Sequence, residues 1–347
     1  MKLYYQLIEL YGSYKHAGSK AKNDCIEILD ELHFKKLTLL RKDESNISRI
    51  AKIKRQIDLF FQWRKIYKLL SSNDTLLIQH PFTYRDIGRD YYLKKIKDKN
   101  VTLISLVHDV EVLRDIFIES KYKKEFQQMI SLADFFIVHN DIMKNWFIEQ
   151  RVDSNKLITL EIFDYLNHKP LSEQVYFDKS VTIAGNLSRE KSPYIYELIK
   201  IKDVQFNLMG INFVSTENAS NIHYLGAFES DDVPNYLSKG FGLVWDGISI
   251  ETCDGPTGNY LRYNNPHKLS LYLSSGLPVI VWKESALAEF ISSQKLGLVI
   301  SNLYELSDIL DTITEKQYQE FVRNIQEIRE KLKKGFYLKK AINEILS

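Results

Sequence analysis

The 347-residue chain has few of the residues that staple or break a fold. It has two cysteines, Cys25 and Cys253, too few for a disulfide scaffold or a Cys-rich zinc site. Gly and Pro number 14 and 7, well under average usage, so long flexible linkers are not expected. No run of ~18 apolar residues is present, so no membrane-spanning helix is expected. The opening residues, MKLYYQLIELYGSYKHAG, have no long apolar stretch and no small-residue cleavage site. They are therefore read as structure and not as a leader. Charge of one sign is also missing: 47 Lys/Arg face 45 Asp/Glu, a net of +2. That balance argues against a dedicated nucleic-acid binder. The expectation is a reduced, cytoplasmic protein with no nucleic-acid partner.

What remains is globular in composition, 44% hydrophobic and 27% charged, with the length of two domains. Charge is distributed unevenly. Residues 1–70 carry 15 Lys/Arg and 8 Asp/Glu, a net of +7, which leaves −5 for the rest. Within the basic region 35–68, Ile47, Ile50, Ile53, Ile57, Phe60 and Phe61 fall near helical spacing. Two readings stand: a helix packed on its own domain with a solvated basic face, or a peripheral contact with the inner face of a membrane.

Short β-branched or aromatic runs at 2–8, 36–40, 75–80, 101–107, 135–139 and 157–163 alternate with helical stretches such as 45–70, 86–97, 111–132 and 141–150. The pattern restarts with strands at 181–184, 204–209, 222–225, 241–245, 278–282 and 296–300. Helices are expected near 193–200, 230–239, 266–275, 285–292 and 303–312, then over 315–346 with a break near Gly335. Such alternation implies βαβ units and parallel sheets. The expected fold is α/β, with two Rossmann-like doubly wound domains facing a cleft. Their expected bounds are 1–165, with helix 335–347 crossing back, and 178–330. Function is then sought in loops after strands.

In the first half, Gly12 and Ser13 follow strand one, where small residues let backbone approach a ligand, though an ordinary turn is as good a reading. The G-x-G-x-x-G fingerprint is absent. His80 ends strand three, and His108-Asp109 end strand four. An ionisable pair there suits a general base. Asp109 equally suits the cap of the helix that begins near Glu111. In the second half, Gly185-Asn186-Leu187-Ser188-Arg189, followed by Lys191, brings positive charge to a strand end, as a diphosphate requires. The densest signal is Tyr263-Asn264-Asn265-Pro266-His267-Lys268 before an apolar helix. Asn264 or Asn265 is expected to cap that helix, with Pro266 in its first turn. Lys268 in the first turn opposes the helix dipole unless an anion lies near, so it favours a phosphate site over a surface lysine. Gly276 is expected to end the helix.

The string YLRYNNPHKLSLYLSSGLPVIVW resembles the nucleotide-sugar segment of GT-B glycosyltransferases. It is similar to bacterial galactofuranosyltransferases that build cell-surface polysaccharides, and to the glucosyltransferase-3-like enzymes that extend O-linked GlcNAc on serine-rich adhesins. VHDVEVLRD, AGNLSRE, KGFGLVWDG and LKKGFYLKK carry the same resemblance. It implies a hexosyltransferase with a UDP-sugar donor. Arg189 and Lys268 would hold the diphosphate, with Asn186, Lys191, Tyr263, Asn264, Asn265 and His267 around it. The N-terminal domain would bind a glycan, lipid-linked glycan or glycoprotein acceptor, with Gly12, Ser13 and His80 in its cleft. No Asp-x-Asp motif follows an apolar strand, so no metal and no other cofactor is expected. Many retaining relatives carry two Glu eight positions apart; here Glu251 is followed at that distance by Asn259. That departure favours inversion, with Asp109 as base and His108 as alternate. Tyr260, Arg262 and Asp246-Gly247 either line the sugar pocket or form a structured surface loop. Three readings compete: a UDP-galactofuranosyltransferase, a UDP-glucose or UDP-GlcNAc transferase acting on an adhesin, and a non-enzymatic nucleotide-sugar-binding subunit. Homo-oligomer formation is left open.

Overall fold

A computed structural model describes residues 2–11, 20–41, 48–82, 86–114, 120–170, 175–215 and 219–347. Gly12 and Ser13 lie outside the described residues. The chain forms two compact units, Met1–Leu160 with Leu338–Ser347, and Glu161–Tyr337.

The first unit carries six parallel strands: β1 (Tyr4–Tyr11), β2 (Lys35–Arg41), β3 (Thr75–His80), β4 (Thr102–Val107), β5 (Phe135–Val138) and β6 (Leu157–Thr159). They are ordered β2-β1-β3-β4-β5-β6. Every residue of β3 is buried, as a strand covered on both faces requires, and its centre, Leu76-Leu77-Ile78, is an apolar run. The helices are α1 (Lys20–Glu31), α2 (Arg49–Leu69), α3 (Arg89–Asp98), α4 (Glu111–Arg114), α5 (Ser120–Leu132) and α6 (Asp141–Glu149). Ser48 caps α2 through a bond from the Ala51 N–H, and Asn140 caps α6 through Met143. The expected helix 111–132 is α4 and α5, with 115–119 outside the described residues.

A buried ion cluster ties the carboxyl ends of β1 and β2 together. Arg41 donates two bonds to the Asp86 carboxylate, 2.6 and 2.7 Å, and others to Glu9 Oε1, while Trp63 Nε1 donates to Asp86 Oδ2. Both carboxylates hold the Arg41 proton more firmly than in water. No local pattern announces this cluster, because residues 9, 41, 63 and 86 meet only through the sheet.

The second unit has six parallel strands: β7 (Tyr176–Asn186), β8 (Phe206–Ile211), β9 (Ile222–Gly226), β10 (Lys239–Val244), β11 (Val279–Trp282) and β12 (Gly297–Ile300). Their order, β12-β11-β10-β7-β8-β9, reverses direction between β7 and β10. That is the switch point at which open α/β sheets bind ligands. The helices are α7 (Gly255–Tyr260), α8 (His267–Ser274), α9 (Ala288–Ser293), α10 (Leu306–Thr312), α11 (Glu315–Lys333) and α12 (Phe336–Leu346). From Leu338 onward α12 counts with the first unit.

Three local expectations change. Residues 193–200 wind as a 3-10 helix, and 230–239 yields only the short 3-10 turn Val233–Tyr236. Pro234 at its start lacks an N–H, and β10 begins at Lys239, so there is room for a single turn. The helix α7 was not anticipated, because two of its six residues are glycine and one is proline. Gly335, at φ +67°, separates α11 from α12.

Candidate active site

The site builds from the switch point of the second unit. Strand β10 pairs with β7 as far as Gly242 opposite Thr182. Beyond that pair the Tyr272 hydroxyl takes over: it accepts from the Ala184 N–H at 2.9 Å and lies 3.3 Å from the Thr182 carbonyl. The Tyr272 ring lies on Gly242, where a Cβ would come within 2.2 Å of it. Only glycine permits that seat. The phenol thus anchors α8 against the end of β7.

Lys268 stands one turn before Tyr272 on the same face of α8. Its side chain runs over Gly185, the penultimate residue of β7: a Cβ on Gly185 would be 3.3 Å from Lys268 Cε and 3.9 Å from Nζ. Gly185 pairs with Gly210 of β8, whose missing side chain keeps that backbone open. Two segments singled out in the sequence, the end of β7 at Gly185 and the start of α8 at Lys268, are therefore brought together. Lys268 makes no ion pair among the described residues.

The start of α8 differs from expectation. Its N-cap is Pro266, not Asn264 or Asn265, and no side chain caps it. Asn265 instead donates to the Glu161 carbonyl, and Asn264 Oδ1 is buried with no hydrogen-bond partner among the described residues. The first N–H groups of α8 are thus not taken by a side-chain cap beside Lys268. Gly276 at φ +84° closes α8, with the Leu277 N–H bonded to Tyr272 O and the Gly276 N–H to Leu273 O.

Other predicted residues have structural duties. Asn186 Oδ1 accepts from the Ser188 N–H and from Asn212, shaping the turn after β7. Arg189 and Lys191 are exposed on that turn, and Arg189 stacks 4.2 Å above the Tyr196 ring. His267 lies against Tyr165 with its Nε2 3.3 Å from the Asp164 carbonyl. Tyr263 is half-buried just before α8. Arg262 pairs with Glu284 and stacks on Trp282, so it belongs to a structured surface loop.

Near this site Asp246 was among the sequence candidates, whereas Tyr194, Cys253 and Asp254 were not legible in sequence. The Cys253 thiol is buried, which pushes its pKa up, and it feels the charges of Asp246, Asp254 and Lys268. Asp246 Oδ1, Asp254 Oδ1 and the Tyr194 hydroxyl are buried without hydrogen-bond partners among the described residues. Burial, with Asp246 nearby, holds the Tyr194 phenol protonated. Such unmet groups mark a place where a polar ligand would complete the bonding.

In the first unit, His108 and Asp109 follow β4. His108 Nε2 bonds Gln79 Oε1 at 2.7 Å, and Arg114 stands 3.6 Å from the Asp109 carboxylate and 3.1 Å from Glu111. Asp109 is 38% exposed at its side chain, so it remains open to solvent. His80 is buried, and burial with Arg89 and Lys22 nearby drives its pKa down to about 3. It lines a small, largely apolar pocket together with Phe82, Arg89 and Glu125. His80 is thus a neutral wall residue.

Two family models match the chain: glucosyltransferase 3-like, N-terminal domain, over residues 4–162, and glucosyltransferase 3-like, C-terminal domain, over 181–345. The chain belongs to the glucosyltransferase 3-like family. Among curated relatives, the β-1,6-galactofuranosyltransferase WbbI of Escherichia coli K12 is 30% identical over 99% of this chain and 98% of its own length. Glucosyltransferase 3 of Streptococcus gordonii is 28% identical over 98% and 99%. Solved structures with the same fold include Anabaena Alr3699/HepE in complex with UDP, with TM-score 0.60, 14% identity and 99% of both chains covered. Another is the sucrose-phosphate synthase of Thermosynechococcus elongatus, with TM-score 0.60 and 11% identity over 98% and 97%. The architecture is that of the GT-B glycosyltransferases, and this family member is a hexosyltransferase.

Proposed function

We propose that the chain moves a hexose from a UDP-sugar onto a cell-surface polysaccharide precursor, with UDP-galactofuranose as donor. The observation that carries the UDP part is Lys268 lying over Gly185 beside an α8 start that no side chain caps. A diphosphate there meets a cation and the positive end of a helix together. The galactofuranosyl part rests on the relative WbbI, which matches along nearly its whole length. The second reading, glucosyl or GlcNAc transfer to a glycoprotein, draws on the similar match to Glucosyltransferase 3 of S. gordonii.

In the proposed reaction the acceptor oxygen attacks the anomeric carbon. The bond from that carbon to the β-phosphate oxygen breaks, and UDP leaves with the electron pair. Lys268 and the α8 N-terminus stabilise the charge that grows on the phosphate, so the transfer is read as metal-independent. Asp109 takes the acceptor hydroxyl proton, and inversion follows from direct displacement. Asp246 and Asp254, whose buried oxygens lack donors, are suited to accept from donor-sugar hydroxyls. Both cysteines are buried, and the site of action is read as cytoplasmic.

The test is a mass-spectrometric donor screen, UDP-galactofuranose against UDP-glucose and UDP-GlcNAc, with lipid-linked glycan and glycopeptide acceptors. Product from UDP-galactofuranose on the lipid-linked glycan supports the first reading; product only on glycopeptide from the other donors replaces it with the second. Asp109→Asn should lower turnover by at least ~10²-fold while UDP affinity stays unchanged. Retained turnover would remove Asp109 as the base.

A further inference from the structure

Helix α2 is built with two apolar faces. Leu59, Trp63 and Ile66 are buried, and Trp63 and Ile66 belong to the core of the first unit. On the opposite side, Ile50, Ile53, Ile57 and Phe61 are 67%, 61%, 52% and 56% exposed. Their spacing of three, four and four residues makes one straight stripe along the helix. The same line continues into Arg64 and Lys68, and Lys54 and Lys65 flank it, all four exposed. The helix holds seven Lys/Arg and a single acid, Asp58, whose carboxylate is bonded to Gln62. At 21 residues α2 is ~31 Å long.

A surface helix needs only one apolar stripe to hold its place on a domain. The second stripe is therefore left over from folding, and four large apolar side chains in water mark an interaction surface. Charge selects the occupant. A second copy meeting this face through its own α2 would set two strongly cationic helices against each other. An anionic bilayer offers both what the apolar side chains seek and what the cations seek. We infer that α2 docks the protein on an anionic membrane surface, with Ile50, Ile53, Ile57 and Phe61 in the headgroup–acyl boundary and the flanking Lys and Arg on lipid phosphates. This goes beyond the donor-site proposal and stands without it.

The test is co-sedimentation of the full chain with phosphatidylcholine vesicles and with mixed phosphatidylcholine–phosphatidylglycerol vesicles, at low and high salt. The expected result is binding to the mixed vesicles only, released by salt. Lys54→Ala/Lys65→Ala/Lys68→Ala should weaken partitioning ~10²-fold, each cation being worth about fivefold near an anionic surface. Ile53→Ser/Ile57→Ser/Phe61→Ser should weaken it at least ~10-fold. UDP affinity, measured on the same preparations, should be unchanged, which shows the variants folded and separates this inference from the donor site. Failure of the unaltered chain to bind mixed vesicles overturns the inference, as does equal binding to both vesicle types. A fall in sedimentation coefficient of the serine variant without lipid would reassign the stripe to a second copy of the chain.

Discussion

Lys268 stands out at the residue scale because its position is costly without a ligand. A cation in the first turn opposes the helix dipole, and its ammonium makes no ion pair among the described residues. Lys268→Ala should weaken UDP binding by roughly 10- to 100-fold in a calorimetric titration, the size of one lost charge-assisted contact. Unchanged affinity would show that the diphosphate lies elsewhere. His80 makes a different prediction. Its folded pKa of about 3 lies below the ordinary value of 6.5. Between those limits the unfolded chain binds a proton that the folded chain refuses. Stability from this residue is therefore complete above pH ~6.5 and declines as pH falls toward 3, by up to ~1.4 kcal/mol per unit. Denaturant melts at pH 7 and pH 5 should show His80→Gln less acid-sensitive than the unaltered chain. An equal shift in both would mean that His80 is protonated in the fold.

At the element scale, the site depends on how α8 is seated. Helical periodicity places Tyr272 one turn after Lys268, but not on Gly242 or at the end of the β7–β10 ladder. Tyr272→Phe leaves the buried Ala184 N–H without its acceptor. It should cost ~1–3 kcal/mol in chemical denaturation and also weaken UDP binding, because Lys268 rides on the same helix. Loss of stability with fully retained UDP affinity would separate the anchor from the site. The start of α8 shows where local rules stop: Asn264 and Asn265 are good caps by propensity, yet Asn265 is drawn to the Glu161 carbonyl far away in sequence. Helix 230–239 failed likewise, since Pro234 and the start of β10 outweigh the composition of the segment.

At the scale of the whole molecule, ligand binding and stability are linked. UDP at a hundred times its dissociation constant should stabilise the fold by ~2.7 kcal/mol, seen as a raised melting temperature. Hydrogen exchange should slow at residues 185–189 and in the first turn of α8. Protection found only outside the second unit would place the nucleotide elsewhere.

The sequence by itself determined the class of fold and most strand positions, because buried parallel strands are rich in apolar residues whatever surrounds them. It also determined the charge and small residues around Gly185 and Lys268, which are local in the chain. Only the tertiary structure decided which of these meet. Strand order created the switch point between β7 and β10, brought Lys268 over Gly185, left Asp246, Asp254 and Tyr194 with unmet polar groups, and buried Arg41 between Glu9 and Asp86. The same folding step took one apolar face of α2 into the core and left the other in water. Contacts between residues distant in the chain depend on sheet order, and no local pattern in the sequence encodes that order.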